Sequence, residues 1–239
     1  MIFSSMSVRN SSKQVVSVIF SAVVALVCLS FQPALATIVS GSVTGGTSYN
    51  LGGIFIKLSV PFTESTPDNT VGNDTFQNQH LYGFDEDQNI LLTSNLEVDI
   101  LADGLGGSSG SGTLFEGTSV ASHYIFFDPN ASRTQEGTIT FDSNVLAIIT
   151  STDNLVASDY LANTGVNYLS PTLRGLENDG TDSVYISGLQ TIAVDWYAGT
   201  PGDYIRVLTE FSPGAVVPVP AAIWLFGSAL AGLGWMRRK

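Results

Sequence analysis

The residues with the clearest chemical potential form a short acidic run of Asp85, Glu86 and Asp87 within Gly83–Asn89. Three successive carboxylates repel one another unless water surrounds them or a cation is shared between them. Calcium takes roughly six to eight oxygen ligands, and carboxylates are common among them. Asp85 and Asp87 have a spacing that lets two side chains converge from a tight loop, so they are candidate calcium ligands. The EF-hand loop pattern is absent, because Asn89 is followed by isoleucine rather than glycine, and a solvated turn is the alternative.

Other catalytic patterns are missing from the sequence. The two histidines, His80 and His123, lie in different segments and belong to no HExxH motif and no Ser/His/Asp order. The glycine-rich stretch Gly104–Gly112 is not followed by the Lys-Ser/Thr of a phosphate-binding loop. Acidic residues are so numerous that no pair stands out as the acid and base of a glycosidase. We therefore expect no enzymatic activity and no obligatory cofactor.

Two adjacent aromatic residues, Trp196 and Tyr197, are the candidate glycan ligands. Successive side chains on a strand point to opposite faces, so one of the two can pack in the core while the other faces solvent. An exposed aromatic ring could then carry a sugar. The alternative is that both residues serve packing alone.

These candidates sit in a body, residues 37–212, that alternates apolar runs with turns rich in Gly, Asn, Asp and Ser. Leu96–Ile100 alternates cleanly between apolar and acidic residues, and Val120–Phe127 is longer and richer in aromatics. This pattern predicts an all-β fold, a single jelly-roll-like β-sandwich. Only Asp153–Ala162 has helical spacing, so we expect one short helix. Asp103–Gly112 has the composition of a flexible loop.

The charge distribution narrows the choice of partners. The chain has 239 residues, with 9 basic and 21 acidic, and all of the acidic ones lie in the body. The body has only four basic residues, which are Lys57, Arg133, Arg174 and Arg206. Nucleic acid binding needs a basic surface, so we exclude it. The single cysteine, Cys28, precedes the body, which therefore contains no disulfide.

Residues 1–36 are predicted to be a signal peptide. Arg9 and Lys13 precede the apolar run Val15–Leu29, and Ala34-x-Ala36 is the small-residue pattern that signal peptidase accepts. The predicted cut lies between Ala36 and Thr37. The alternative is an uncleaved membrane anchor.

The last two dozen residues have three parts in a fixed order. A short linker, residues 213–216, leads to a proline-bracketed motif, which consists of Val217, Pro218, Val219, Pro220 and Ala221. An uncharged apolar run, Ala221–Met236, approaches the roughly 20 residues that a membrane-spanning helix needs. A basic cluster follows, made of Arg237, Arg238 and Lys239, and it should remain cytoplasmic. The run is slightly short for permanent residence in the membrane. A plain tail anchor and a core helix are the alternatives.

Residues 217–239 resemble the PEP-CTERM sorting signal, in its VPLPA-type variant, of Gram-negative bacteria that make exopolysaccharide. Val219 stands where the commonest form has leucine. The resemblance implies that an exosortase recognises the chain and acts near Val217–Ala221. The body also resembles uncharacterised ectodomains that precede such tails, through segments such as Leu81–Asn89, Ala121–Pro129 and Phe141–Asn154. That second resemblance implies no activity.

Together these features predict an exported protein, held transiently in the inner membrane by its tail and then processed for the cell surface or the extracellular matrix. We expect it to be non-enzymatic and associated with exopolysaccharide. The alternative is a carbohydrate-active or calcium-dependent glycan-binding module.

Overall fold

The structure, a computed structural model, describes residues 36–211 except residue 178. Fourteen strands form in this part of the chain. In chain order, β1 to β14 are Ile38–Gly45, Phe55–Lys57, Thr70–Val71, Leu81–Asp85, Ile90–Leu91, Leu96–Ala102, Ser108–Leu114, Ser119–Phe127, Arg133–Phe141, Val145–Ile149, Asn167–Tyr168, Ser183–Gly188, Thr191–Ala198 and Asp203–Glu210. Two short helices, α1 (Gly46–Asn50) and α2 (Thr152–Ala157), and two 3₁₀ turns, Asp159–Leu161 and Pro171–Leu173, complete the described fold.

Two sheets face each other. The smaller has four strands in the order β1-β9-β13-β12, and its neighbouring strands are all antiparallel. The larger has eight strands, with the path β2-β4-β8-β14-β10-β6-β7 and β5 joined to β8. Between them lies an apolar core with residues from both sheets, such as Ile139 and Trp196 from one and Ile125 and Ile205 from the other. The predicted all-β sandwich is confirmed.

The larger sheet is buried on its second face as well. There Phe84, Tyr124 and Phe126 pack beneath α2 and the long connections, which contribute residues such as Phe62 and Leu155. Burial on both faces explains why β8 and β14 are buried almost throughout instead of alternating between buried and exposed residues. The middle residues of β8 and β14 are therefore shielded from solvent on both faces of the sheet.

Two local expectations need correction. The predicted helix exists as α2 followed by the 3₁₀ turn Asp159–Leu161, but α1 is a second helix that the expectation of one short helix omitted. The glycine-serine stretch predicted as a flexible loop forms most of β7, an edge strand paired with β6. No helix within residues 36–211 is long and apolar enough to cross a membrane.

Candidate functional site

The acidic run lies where β4 ends, and the structure separates its side chains. Asp85 Oδ2 lies 2.7 Å from Lys57 Nζ, and Asp85 Oδ1 lies 2.8 Å from His123 Nδ1. The hydroxyl of Thr37 and the amide of Ile38 also donate to the Asp85 carboxylate, at 2.7 and 3.0 Å. Burial alone would raise the pKa of Asp85, but His123 and Lys57 outweigh it and hold that pKa well below its usual value. Both carboxylate oxygens are thus occupied by donors.

Glu86 points to the opposite side of the strand and is buried. Arg206 Nε and Nη2 donate to its two oxygens at 2.7 and 3.0 Å, which makes the pair bidentate. The hydroxyls of Ser122 and Tyr168 donate to the same carboxylate at 2.6 and 2.7 Å. Burial would lower the pKa of Arg206, but the charge of Glu86 raises it above the ordinary value. Glu86 is therefore a structural ion-pair residue.

This geometry argues against the calcium site expected at Asp85 and Asp87. A cation at Asp85 would have to displace Lys57 and His123, which already occupy the oxygens of that carboxylate. Asp87 remains at the surface end of the run, where burial and then the charge of Glu86 raise its pKa. Asp85 and Asp87, two residues apart, do not form a shared site because the Asp85 carboxylate is already bound by Lys57 and His123.

His123 has neighbours that would suggest catalysis if they were exposed. Its Nδ1 meets Asp85, and its Nε2 lies 3.1 Å from Thr209 Oγ1, in the order of an Asp-His-Thr triad. However, His123 and Thr209 are fully buried, and the ring of Phe141 lies 4.8 Å from the His123 ring. No substrate can reach the hydroxyl, so the arrangement stabilises the fold.

The two candidate glycan ligands separate as strand geometry requires. Trp196 is 0% exposed in the core between the sheets, so it cannot contact a sugar, and its assignment is corrected. Tyr197 is 50% exposed on the outer face of the smaller sheet. A second tyrosine on that face, Tyr185 of β12, is 52% exposed and was not predicted.

A different group of carboxylates converges near Tyr197. Glu177 lies in the connection before β12, Asp182 directly precedes β12, and Asp203 begins β14. One carboxylate oxygen from each of these three residues lies within 4.8 Å of the others. We call this group the acidic cluster. The amide of Tyr197 donates to Asp182 Oδ1 at 2.7 Å, which fixes one member beside the exposed tyrosine.

Asp203 is the most constrained member of the acidic cluster. Its side chain is almost fully buried, and its Oδ2 has no hydrogen-bond partner. Burial and then the charges of Asp182 and Glu177 raise the pKa of Asp203 to about 9. The pKa of Asp182 is raised by burial too, despite the bond from Tyr197. A buried carboxylate without a compensating donor needs a proton or a cation.

A groove runs from the acidic cluster along the edge of the sandwich, with Ile100, Thr150, Ser151 and Val184 among its lining residues. Asp99 also lines it, but Asp99 accepts hydrogen bonds from the amides of Thr150 and Ser151, from the Ser151 hydroxyl and from Asn154. Because these residues lead into α2, Asp99 fixes the start of that helix from a distant strand. Asp99 is satisfied, whereas the acidic cluster is not.

Sequence reasoning missed the acidic cluster. Asp203 is distant in sequence from Glu177 and Asp182, and only the fold brings it beside them. The one local signal was the run Glu177-Asn178-Asp179-Gly180-Thr181-Asp182, which is acidic and turn-rich.

Comparison with known proteins bears on the C-terminus. The family described as the PEP-CTERM protein-sorting motif matches residues 216–239, which begin one residue before the predicted motif. The C-terminus carries the PEP-CTERM sorting motif. Searches of curated proteins and of solved structures gave no match. The body thus has no relative in these searches from which an activity could be transferred.

The sorting motif indicates that the chain is exported, passes through a membrane-anchored stage and has an exosortase as its processing partner. The sorting motif, the apolar run and the basic cluster, all within residues 217–239, lie outside the described residues, as does Ala34. Ala36 and Thr37 are described, and the Thr37 amide donates to Asp142 Oδ1 at 2.9 Å. Cleavage between these two residues stays a prediction.

Proposed function

We propose that the exported body is a non-enzymatic surface or matrix protein that associates with exopolysaccharide through the outer face of the four-stranded sheet. The observation that carries this proposal is the pair of half-exposed tyrosines on that face, Tyr185 and Tyr197. The strand register supports a common orientation of the two rings. Tyr185 on β12 pairs with Ala193 on β13, and Tyr197 lies four residues after Ala193 on β13. An even number of residues keeps both rings on one side of the sheet.

The surroundings of the two tyrosines suit a polysaccharide. Their backbones are roughly 14 Å apart, counting about 3.3 Å per residue along a strand and about 4.8 Å between strands. An extended polymer can contact both rings, whereas a single sugar cannot. Hydroxyl side chains share the face, and two cross-strand pairs order them, Ser42 with Thr138 at 3.0 Å and Thr140 with Thr191 at 3.3 Å. Aromatic rings for stacking and hydroxyls for hydrogen bonding are the groups that recognise sugars.

Two observations favour binding over catalysis. The histidine that has triad-like neighbours is buried with its threonine, as described above. The three oxygens of the acidic cluster lie within 4.8 Å of one another, an arrangement that suits one shared cation. Asp99, the other carboxylate of the groove, is held by four donors.

The binding proposal is tested by co-sedimentation of the full chain, in detergent, with exopolysaccharide from the producing bacterium. We expect the double variant Tyr185→Ala/Tyr197→Ala to bind at least about tenfold more weakly, a loss of about 1.4 kcal/mol. Tyr160→Ala is the matched control, since Tyr160 is also half exposed but lies in the turn after α2. Equal binding by wild type and double variant would refute the proposed face, and shortening of the polymer during incubation would refute the non-enzymatic role.

We propose further that the exosortase acts within Val217–Ala221. The supporting observation is the match to the sorting motif over residues 216–239. The double variant Pro218→Ala/Pro220→Ala should accumulate unprocessed in the inner membrane, as judged by fractionation and intact mass. Pro213→Ala changes a neighbouring proline outside the motif and should be processed normally. Release of the double variant at the normal mature mass would contradict the assignment.

A further inference from the structure

We propose that Glu177, Asp182 and Asp203 form a calcium site at the end of the sandwich where β12 and β14 begin. The inference concerns the acidic cluster alone and does not depend on polysaccharide binding. Three side-chain oxygens, one from each residue, already lie within 4.8 Å of one another. A cation between them would be contacted by all three carboxylates.

The burial of Asp203 points to a ligand independently of the clustering. Asp203 is 1% exposed, and its Oδ2 has no donor in contact. Asp182 Oδ2 is also buried without a hydrogen-bond partner. Buried side-chain oxygens are normally satisfied by hydrogen bonds, so two unsatisfied oxygens within one cluster of carboxylates require explanation. A cation would satisfy both of them.

No protein cation compensates this charge. Of the ion pairs found within the described residues, none includes a member of the acidic cluster. Asp179, which is exposed nearby, adds to the negative potential acting on Asp203. A buried carboxylate without a protein counter-charge either takes up a proton or coordinates a metal ion.

The chemistry of the site selects calcium among the divalent ions. All of the side-chain ligands are carboxylate oxygens, whereas zinc and copper prefer nitrogen and sulfur. Glu177 is exposed and leaves one side of the site open to water, so additional oxygen ligands can complete a coordination number of roughly six to eight. Magnesium requires a nearly ideal octahedron and gives up its water reluctantly. A site of this kind on an exported protein is expected to bind calcium with Kd on the order of 10⁻⁴–10⁻³ M.

The test uses the full chain, purified in detergent and freed of metal by a chelator. Calcium chloride is titrated by calorimetry, and the thermal midpoint is recorded with and without calcium. At a free calcium concentration about 100 times Kd, we expect the midpoint to rise by roughly 5–10 °C. Asp203→Asn should bind calcium at least tenfold more weakly and lose most of that rise. Glu97→Gln, which alters an exposed carboxylate on β6, should behave as wild type.

Glu177→Gln provides a second variant for the case in which Asp203→Asn does not fold, because Glu177 is exposed. It too should weaken calcium binding. The proposal is overturned if calcium does not change the wild-type midpoint, or if folded Asp203→Asn or Glu177→Gln gains as much from calcium as wild type. An equal shift with magnesium would overturn the assignment to calcium.

Discussion

Two groups of three carboxylates in this protein have opposite fates. Asp85, Glu86 and Asp87 are consecutive in sequence, yet the strand sends the first two to different sides, where Lys57 and Arg206 neutralise them. The acidic cluster is assembled from three separate places, and no cation within residues 36–211 pairs with it. Carboxylates that are adjacent in sequence therefore do not form a cluster here, whereas carboxylates that are distant in sequence are brought together by the fold.

The two groups of carboxylates differ because two of the few basic side chains of the body lie beside the first group and not beside the second. Lys57 pairs with Asp85, Arg174 with Asp159, and Arg206 with both Glu86 and Asp159. Arg133, the remaining basic residue of the body, donates to Asn130. The pKa of Asp85 is lowered and that of Asp203 raised because one carboxylate has cationic neighbours and the other has anionic ones.

The largest effect is expected from removing the charge of Glu86, which forms a buried ion pair with Arg206. Glu86→Gln keeps the side-chain volume but leaves Arg206 buried without a counter-charge, so we expect a loss of about 3–5 kcal/mol of unfolding free energy. The measurement is denaturant-induced unfolding. Glu97→Gln, which alters an exposed carboxylate on β6, is the control and should cost under about 0.5 kcal/mol. A loss for Glu86→Gln as small as that of the control would contradict this assignment.

A smaller loss, about 1.5–2 kcal/mol, is expected for Asp85→Asn near neutral pH, since this carboxylate is partly exposed and its bonds involve charged donors. The stability contributed by a carboxylate of lowered pKa is present above its unfolded pKa and declines as the pH falls below about 4. The difference between wild type and Asp85→Asn should therefore shrink from pH 7 to pH 3. A difference that stays constant across this range would show that charge is not its origin.

The smallest effect is expected in the acidic cluster, and it has the opposite sign. In the presence of a chelator, Asp203→Asn should stabilise the protein by about 1 kcal/mol, because it removes a buried carboxyl group that lacks a donor and lies beside two other carboxylates. The measurement is again denaturant-induced unfolding. Glu97→Gln should change the stability little. Destabilisation of Asp203→Asn relative to that control would mean that the cluster is satisfied within the protein.

The sequence predicted the features that depend on local pattern. Alternation and turns indicated the sandwich, and the helical spacing near Asp153–Ala162 located α2. The tail was recognisable because the sorting signal is one contiguous stretch of sequence and does not depend on tertiary contacts.

The failures arise where tertiary contacts override the local pattern. The serine and glycine residues of β7 form a strand because β6 offers an edge to pair with. Asp85 is not available as a calcium ligand because Lys57 and His123, both distant from it in sequence, bind its carboxylate. The acidic cluster depends on placing the start of β14 beside the connection before β12, and no single segment contains that information.

The position of β14 also constrains how the protein can be delivered. This strand lies between β8 and β10 at the centre of the larger sheet, and it is the last strand of the described fold. A chain that crosses the membrane N-terminus first presents its central strand after all the others, so the body cannot close while translocation is under way. Only residues 211–215 separate Glu210 from the matched motif, a reach of at most about 18 Å. Completion of the larger sheet is therefore a late step, because it requires the residues directly before the sorting motif to have crossed the membrane.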